Sequence, residues 1–295
     1  MSQLRILVVG AHPADVFDQS GGTMAHHAAR GDTITCVVLT HGARVHDKVV
    51  CDEMFRREQI PLAADLNLLI KERSDVKGKE VLEACKLLGV SNVYFLGADD
   101  AILLVNETVI RQLARLMRKL RPNIVLTHFP KEDGGVGGPH AVTGQIVMYA
   151  MQLASSVEPG DPNPPTRIAQ VFFFGLGAAA PRQSVWGSEG GYYNDVFVDI
   201  TDVAEKKLAA IDKLVSQGYA GPLARKWIEA SEGAFGIQAR VAYAEGFITM
   251  RSETHYYLPL SELDYVRSFK SDHEITGQMS YRISLNGESR AGGEI

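Results

Sequence analysis

At 295 residues, 45% hydrophobic and 22% charged, the chain has enough apolar material for a sizeable core and the length of one large α/β domain spanning residues 1–295. A net charge of −5 excludes a general nucleic-acid binder, which needs a basic face for phosphates. The longest apolar runs, such as residues 6–9 and 171–174, are strand-sized, so no membrane span is expected, and the opening Met-Ser-Gln-Leu-Arg has no signal-peptide layout.

Residues 5–9 read as a β-branched strand that ends at Gly10 and a polar loop. Residues 21–30 follow as a helix closed by Gly31 and Asp32, and residues 33–40 as a second strand ahead of His41-Gly42-Ala43-Arg44. Helical spacing over residues 77–88 stops at Gly89, and residues 92–96 form a third strand. Apolar positions 109, 110, 113, 116, 117 and 120 mark an amphipathic helix over residues 108–120. It ends before Pro122, and residues 124–127 form a fourth strand with a helix over residues 140–155 after it. This alternation predicts a Rossmann-like, mainly parallel sheet with helices on both faces.

Further on, residues 158–166 hold four prolines and read as a rigid connector. Residues 170–174 and 196–200 are late strands, and the Gly-rich aromatic stretch 175–193 between them reads as a lid or subunit contact. Thr201 is expected to cap a helix over residues 202–216. After Tyr257 the chain reads as a polar extension, residues 258–295, with a disordered end from residue 286. Cys36, Cys51 and Cys85 lack metal or redox spacing, which suits reduced thiols in a cytoplasm.

In a doubly wound sheet, ligands bind beyond the carboxyl ends of the strands. Ala11-His12-Pro13-Ala14-Asp15 lies at such an end and offers one nitrogen and one oxygen to a metal. A third ligand should come from another strand end, and His140, beyond the fourth strand, is the candidate. Read singly, His12 suits a hydrogen-bonded core position and Asp15 a helix cap. Together, at matching sheet positions, they point to a divalent metal.

These segments resemble the PIG-L/LmbE superfamily of zinc-dependent deacetylases from residue 5 to about residue 251. The resemblance rests on the Ala-His-Pro-x-Asp loop, Gly21-Gly22, Leu39-Thr40-x-Gly42, Leu87-Leu88-Gly89, residues 122–128, the His140 helix start, Asp199-Ile200-Thr201 and Tyr243-Ala244-Glu245-Gly246-Phe247. It implies zinc, or another divalent metal, on His12, Asp15 and His140. Two positions depart from the pattern. Where the deacetylases carry the Asp that serves as general base, this chain has Ala14, and the assisting histidine falls on Gly137 or Gly138. Loss of a general base costs about two to four orders of magnitude in rate.

The 4-oxalomesaconate hydratase-like branch shares the alanine, and the chain is similar to it there and around Lys206-Lys207. The leading expectation is therefore a zinc-dependent hydratase acting on a small, anionic, unsaturated polycarboxylic acid. The alternative is a deacetylase or amidase with a relocated base, and a third reading is a non-catalytic metal or ligand binder. Proton-transfer candidates are His41, His46 and Asp133, all in loops at the expected edge, and His128 is a candidate partner for a metal ligand. Arg44, with Arg240 behind it, would pair with substrate carboxylates. A cytoplasmic homo-oligomer without nucleic-acid or membrane partners is expected.

Overall fold

The computed structural model describes residues 3–90, 92–131, 138–174 and 194–283. Seven strands, β1 (Arg5–Gly10), β2 (Thr33–Thr40), β3 (Asn92–Ala98), β4 (Ile124–Thr127), β5 (Gln170–Phe174), β6 (Val196–Asp199) and β7 (Ala244–Thr249), form one sheet in the order β3-β2-β1-β4-β5-β7-β6. The first five run parallel, whereas β7 lies antiparallel to both β5 and β6. The helices are α1 (Asp15–Asp18), α2 (Gly21–Ala29), α3 (Lys48–Phe55), α4 (Ala63–Leu87), α5 (Glu107–Leu120), α6 (Pro139–Ala154), α7 (Ala204–Ile211), α8 (Pro222–Ala230), α9 (Glu232–Ala239), α10 (Glu262–Arg267) and α11 (Asp272–Met279).

Alternation along the strands builds two cores. Ile6 and Val8 of β1 and Cys36 and Val38 of β2 face Met24 of α2, Val81 and Cys85 of α4, and Leu208 of α7. Leu7, Val9, Val37 and Leu39 face the other way, onto Leu113 and Met117 of α5 and Ile146 and Ala150 of α6. Both faces of these strands are covered, which is why they read as unbroken apolar runs. The α5 boundaries follow from local chemistry: the Asn106 side chain accepts the Val109 N–H at 3.0 Å, and Arg121 turns left-handed (φ 51°) ahead of Pro122. No helix among the described residues is long and apolar enough to cross a membrane.

The expected sheet is present, and several elements differ from the sequence reading. The helix expected over residues 202–216 is a 3-10 turn at Thr201–Val203 followed by α7, which stops at Ile211. The helix expected from residue 77 begins at Ala63, because its first half is a largely exposed helix without an apolar stripe for periodicity to reveal. The extension after Tyr257 contains α10 and α11, each opened by a serine cap, at Ser261 and Ser271. The stretch 175–193 and residues 286–295 lie outside the described residues.

The chain steps from β1 outward to β2 and β3, then returns to β4 on the other flank of β1. The carboxyl ends of β1 and β4 therefore flank a topological switch point, where the covering connections part and leave a crevice.

Candidate functional site

The loop leaving β1 at this crevice is tightly folded. Thr40 donates both its N–H (2.9 Å) and its hydroxyl (2.8 Å) to the Ala11 carbonyl, and the His12 N–H donates to Asp15 Oδ2 at 2.7 Å. That carboxylate oxygen then becomes a hub. His12 Nδ1 lies 3.3 Å from it, His128 Nε2 3.1 Å and His140 Nε2 3.6 Å. His128 comes from the end of β4, and His140 from the first turn of α6, which Pro139 opens. Gly144 lets α6 approach: a Cβ there would sit 2.5 Å from the His128 carbonyl oxygen. His140 and His128 consequently stack, ring centroids 4.4 Å apart and 5° from parallel.

One donor atom each from His12, Asp15 and His140 lie within 4.8 Å of one another. His12 and Asp15 are buried, whereas the His140 side chain is 49% exposed, so the trio opens to one side. His12 Nε2 is buried without a hydrogen-bond partner among the described residues. Burial opposes ionisation of Asp15, but His140, His12 and His128 outweigh it and hold its carboxyl well below the usual carboxylate range. Burial likewise opposes a charged His12, yet the adjacent Asp15 leaves its pKa raised. For His128 burial wins and the pKa falls. An ionised carboxylate, two imidazoles and an orphaned buried nitrogen suit a divalent cation with an open coordination position.

His128 lies beneath this trio. Its Nε2 accepts the Ala11 N–H at 3.2 Å when unprotonated, or donates to Asp15 when protonated; it cannot do both at once. One state fastens His128 to the end of β1 and the other to the carboxylate.

The other expected residues spread around the rim. The His46 ring stands edge-on to His12 at 4.2 Å between centroids, and burial, followed by the neighbouring His12, lowers its pKa. His41 Nδ1 accepts the Ala43 N–H and lies 3.1 Å from Asp100 Oδ1. The Arg44 guanidinium pairs with Asp99, and the N–H groups of Arg44 and Val45 donate to Asp100. His41, Asp99 and Asp100 also lie close enough together to hold an ion. Their acceptors, however, are engaged by Arg44 and by backbone amides, including Ala101 N–H on Asp99, so the cluster orders the loop. Arg240 ends α9 in the left-handed conformation (φ 60°), exposed. Asp133 and Gly137 lie outside the described residues, and Gly138 precedes α6 with an extended backbone. Ala14 is buried in the apolar cluster beside β1.

Sequence reasoning missed the acids that hold the rim. Asp100 closes the loop after β2, and Asp47 caps α3 while binding Arg73 at 3.1 Å and approaching Lys77 at 3.5 Å. Lys77 Nζ in turn donates to the His46 carbonyl at 3.1 Å. The signal for Asp99-Asp100 was available: an acidic pair directly after a strand at the ligand-binding edge.

Behind α1 lies a buried charge cluster. Lys207 Nζ donates to Glu232 (2.7 Å) and Glu245 (2.8 Å), and Glu245 also accepts the N–H groups of Gly22 and Thr23 at 2.8 Å each. Burial, opposed by Lys207 and reinforced by Asp18, pushes the Glu232 carboxyl up to about 7. The folded protein thus keeps a proton that the unfolded chain releases near the ordinary glutamate value. This contribution to stability is full below that value and is lost as pH rises through about 7. Glu232→Gln should flatten the fall in unfolding free energy between mildly acidic and alkaline pH, by on the order of 1–3 kcal/mol. Parallel wild-type and variant curves in calorimetry would remove Glu232 from that role.

The PIG-L family model, described as GlcNAc-PI de-N-acetylase, matches residues 7–151. A 4-oxalmesaconate hydratase from Pseudomonas putida is 26% identical over 253 residues, covering 83% of this chain and 88% of its own. A 1D-myo-inositol 2-acetamido-2-deoxy-alpha-D-glucopyranoside deacetylase from Geodermatophilus obscurus is also 26% identical, over 263 residues, covering 80% of this chain and 83% of its own. Among solved structures, 4-carboxy-2-hydroxymuconate hydratase from Pseudomonas putida shares the fold with a TM-score of 0.69 at 24% identity, covering 87% of this chain and all of that one. The relatives are thus enzymes of two reaction types.

Proposed function

Because the chain belongs to the PIG-L family, we propose that His12, Asp15 and His140 hold a zinc ion and that the protein adds water to a small unsaturated polycarboxylic acid, the reaction type named for its Pseudomonas putida relative. The observation that carries this reading over deacetylation is Ala14. At the position where the deacetylases carry their catalytic carboxylate, this chain buries a methyl group in an apolar cluster. Hydrolysing an amide needs a base for water and an acid for the departing amine. Hydration has no departing amine: the water oxygen joins one carbon of the double bond and a proton joins the other.

Bound zinc would acidify water and polarise a carbonyl or carboxylate. The protein's own groups do the rest. His128 keeps Asp15 oriented from below. His46, kept neutral at neutral pH by its lowered pKa and set against His12, is the base that takes the proton from water on an imidazole nitrogen. His41, its Nδ1 engaged by Ala43 N–H, presents Nε2 as the second proton-transfer group. Arg44, shared with Asp99 at the rim, supplies charge for a substrate carboxylate, and Arg240 is the second candidate.

The deacetylase relatives support the second reading, N-deacetylation with a base moved elsewhere. Ala14→Asp tests between the two. The unaltered zinc-loaded protein should release essentially no acetate from N-acetyl sugars. The variant should gain only weak deacetylation while losing hydration, because its new carboxylate enters a position that is 2% exposed and no amine-protonating histidine accompanies it. Efficient acetate release by the unaltered protein would overturn the hydratase reading.

A further inference from the structure

Residues 251–280 form a strap that leaves the body of the protein and returns to it. At its start the Met250 N–H donates to the Val171 carbonyl (2.9 Å) and Gln170 Nε2 to the Arg251 carbonyl (2.7 Å). At its return the Ile283 N–H donates to the Tyr243 hydroxyl (3.0 Å), and the Ile283 side chain is buried in the core. Between these anchors only Ile275 is buried. Tyr256, Tyr257 and Leu258 stand 102%, 87% and 96% exposed, and Leu260, Leu263, Tyr265, Val266 and Phe269 follow, all exposed. Isolated exposed apolar residues are ordinary on a protein surface; a contiguous aromatic and aliphatic run is not.

We propose that this strap is the interface through which the chain binds a second copy of itself, an inference independent of the site chemistry. The area is sufficient. At about 150–250 Å² per ring, covering Tyr256, Tyr257, Tyr265 and Phe269 in proportion to their exposure removes roughly 600 Å² from water. The leucines and Val266 bring the strap to at least the ~800 Å² per partner of a standard interface. Its composition is largely aromatic and aliphatic, as at an interface centre, with Glu262, Asp264 and Arg267 interspersed in its second half. Charges of both signs are spread along it (Arg251, Glu253, Glu262, Asp264, Arg267, Lys270, Asp272 and Glu274), and Arg267 pairs with Asp264 within the chain at 3.2 Å. A two-fold axis running antiparallel straps past each other lays the exposed apolar run of one copy, from Tyr256 to Phe269, on the same run of the other. A permanently apolar strap needs a partner wherever the chain is present, and a second copy meets that need. Acidic residues beside the tyrosines also disfavour an anionic lipid surface.

The test is sedimentation velocity of the full chain at micromolar concentration, with wild type compared to the double variant Tyr257→Glu, Leu258→Glu. Wild type should sediment at twice the 32.2 kDa chain mass or a higher multiple. The variant should dissociate with a Kd raised at least about 30-fold, the loss of a two-kcal/mol contact, with an unchanged circular dichroism spectrum. Hydrogen exchange on wild type gives a readout that needs no variant: strap amides should be protected when associated and exchange rapidly on dilution. A wild-type chain at monomer mass, a variant that associates as wild type does, strap amides exchanging rapidly in the associated state, or wild type pelleting with phosphatidylcholine–phosphatidylserine vesicles would each overturn the proposal.

Discussion

His12→Ala and His140→Ala should each strip the protein of stoichiometric zinc and lower hydration by at least about 10³-fold, because the proposed metal activates both reactants. The two substitutions reach the trio from different directions, one through the loop after β1 and one through the start of α6. A ligand role predicts the same double loss from both. His41→Asn separates binding from proton transfer: it should keep zinc and lose rate, since His41 lies in the cluster with Asp99 and Asp100 outside the trio. Metal content by atomic emission, measured beside the rate, reads both effects. Full zinc occupancy in His12→Ala would show that the wrong ligands were assigned.

Lys207→Met should cause the largest loss of stability of any single change. Lys207 is fully buried, and its ammonium separates Glu232 from Glu245. Removing the cation leaves carboxylates buried without their counter-charge, which typically costs about 3–5 kcal/mol. At about 2–4 °C per kcal/mol the Tm should fall by roughly 10 °C. The damage should also reach the site, because Glu245 holds the first amides of α2, the helix that follows α1 and its Asp15. Lys207→Met combined with Glu232→Leu should recover part of the loss, having removed one stranded charge. A drop of under about 2 °C in the single variant would mean that the cluster adds little to stability.

The parallel half of the sheet was readable because its strands are short, β-branched and separated by glycine-punctuated helices. Its antiparallel edge was harder to read. Residues 244–249 carried a recognisable motif, but nothing local told that β7 inserts between β5 and β6. The motif fragments in which the chain resembles the PIG-L family also had no visible mutual relation in sequence. In the structure Gly22, Ile200, Lys207 and Glu245 meet in one place: a Cβ on Gly22 would lie 2.5 Å from Ile200, and Glu245 binds both the Gly22 amide and Lys207. Such contacts join residues some two hundred positions apart, beyond any periodicity. The same reason hid Asp100 as the anchor of the Arg44 loop and Glu232 as the partner of Lys207. His12, Asp15 and His140 could be nominated together because strand-end position, a geometric rule, applies without tertiary contacts, and the structure does bring the three side chains close. Exposure of the 256–269 strap went unread, since hydropathy alone does not distinguish a core segment from a surface one.

The most direct measurement of the central claim is proton NMR of the zinc-loaded protein incubated in parallel with 4-oxalomesaconate and with an N-acetylglucosaminyl inositol. Hydration predicts loss of the vinyl proton signal of the acid, with appearance of a hydroxylated product and no acetate from the sugar. Free acetate from the sugar, with the vinyl signal of the acid unchanged, would contradict the account and identify the protein as a deacetylase whose base lies elsewhere.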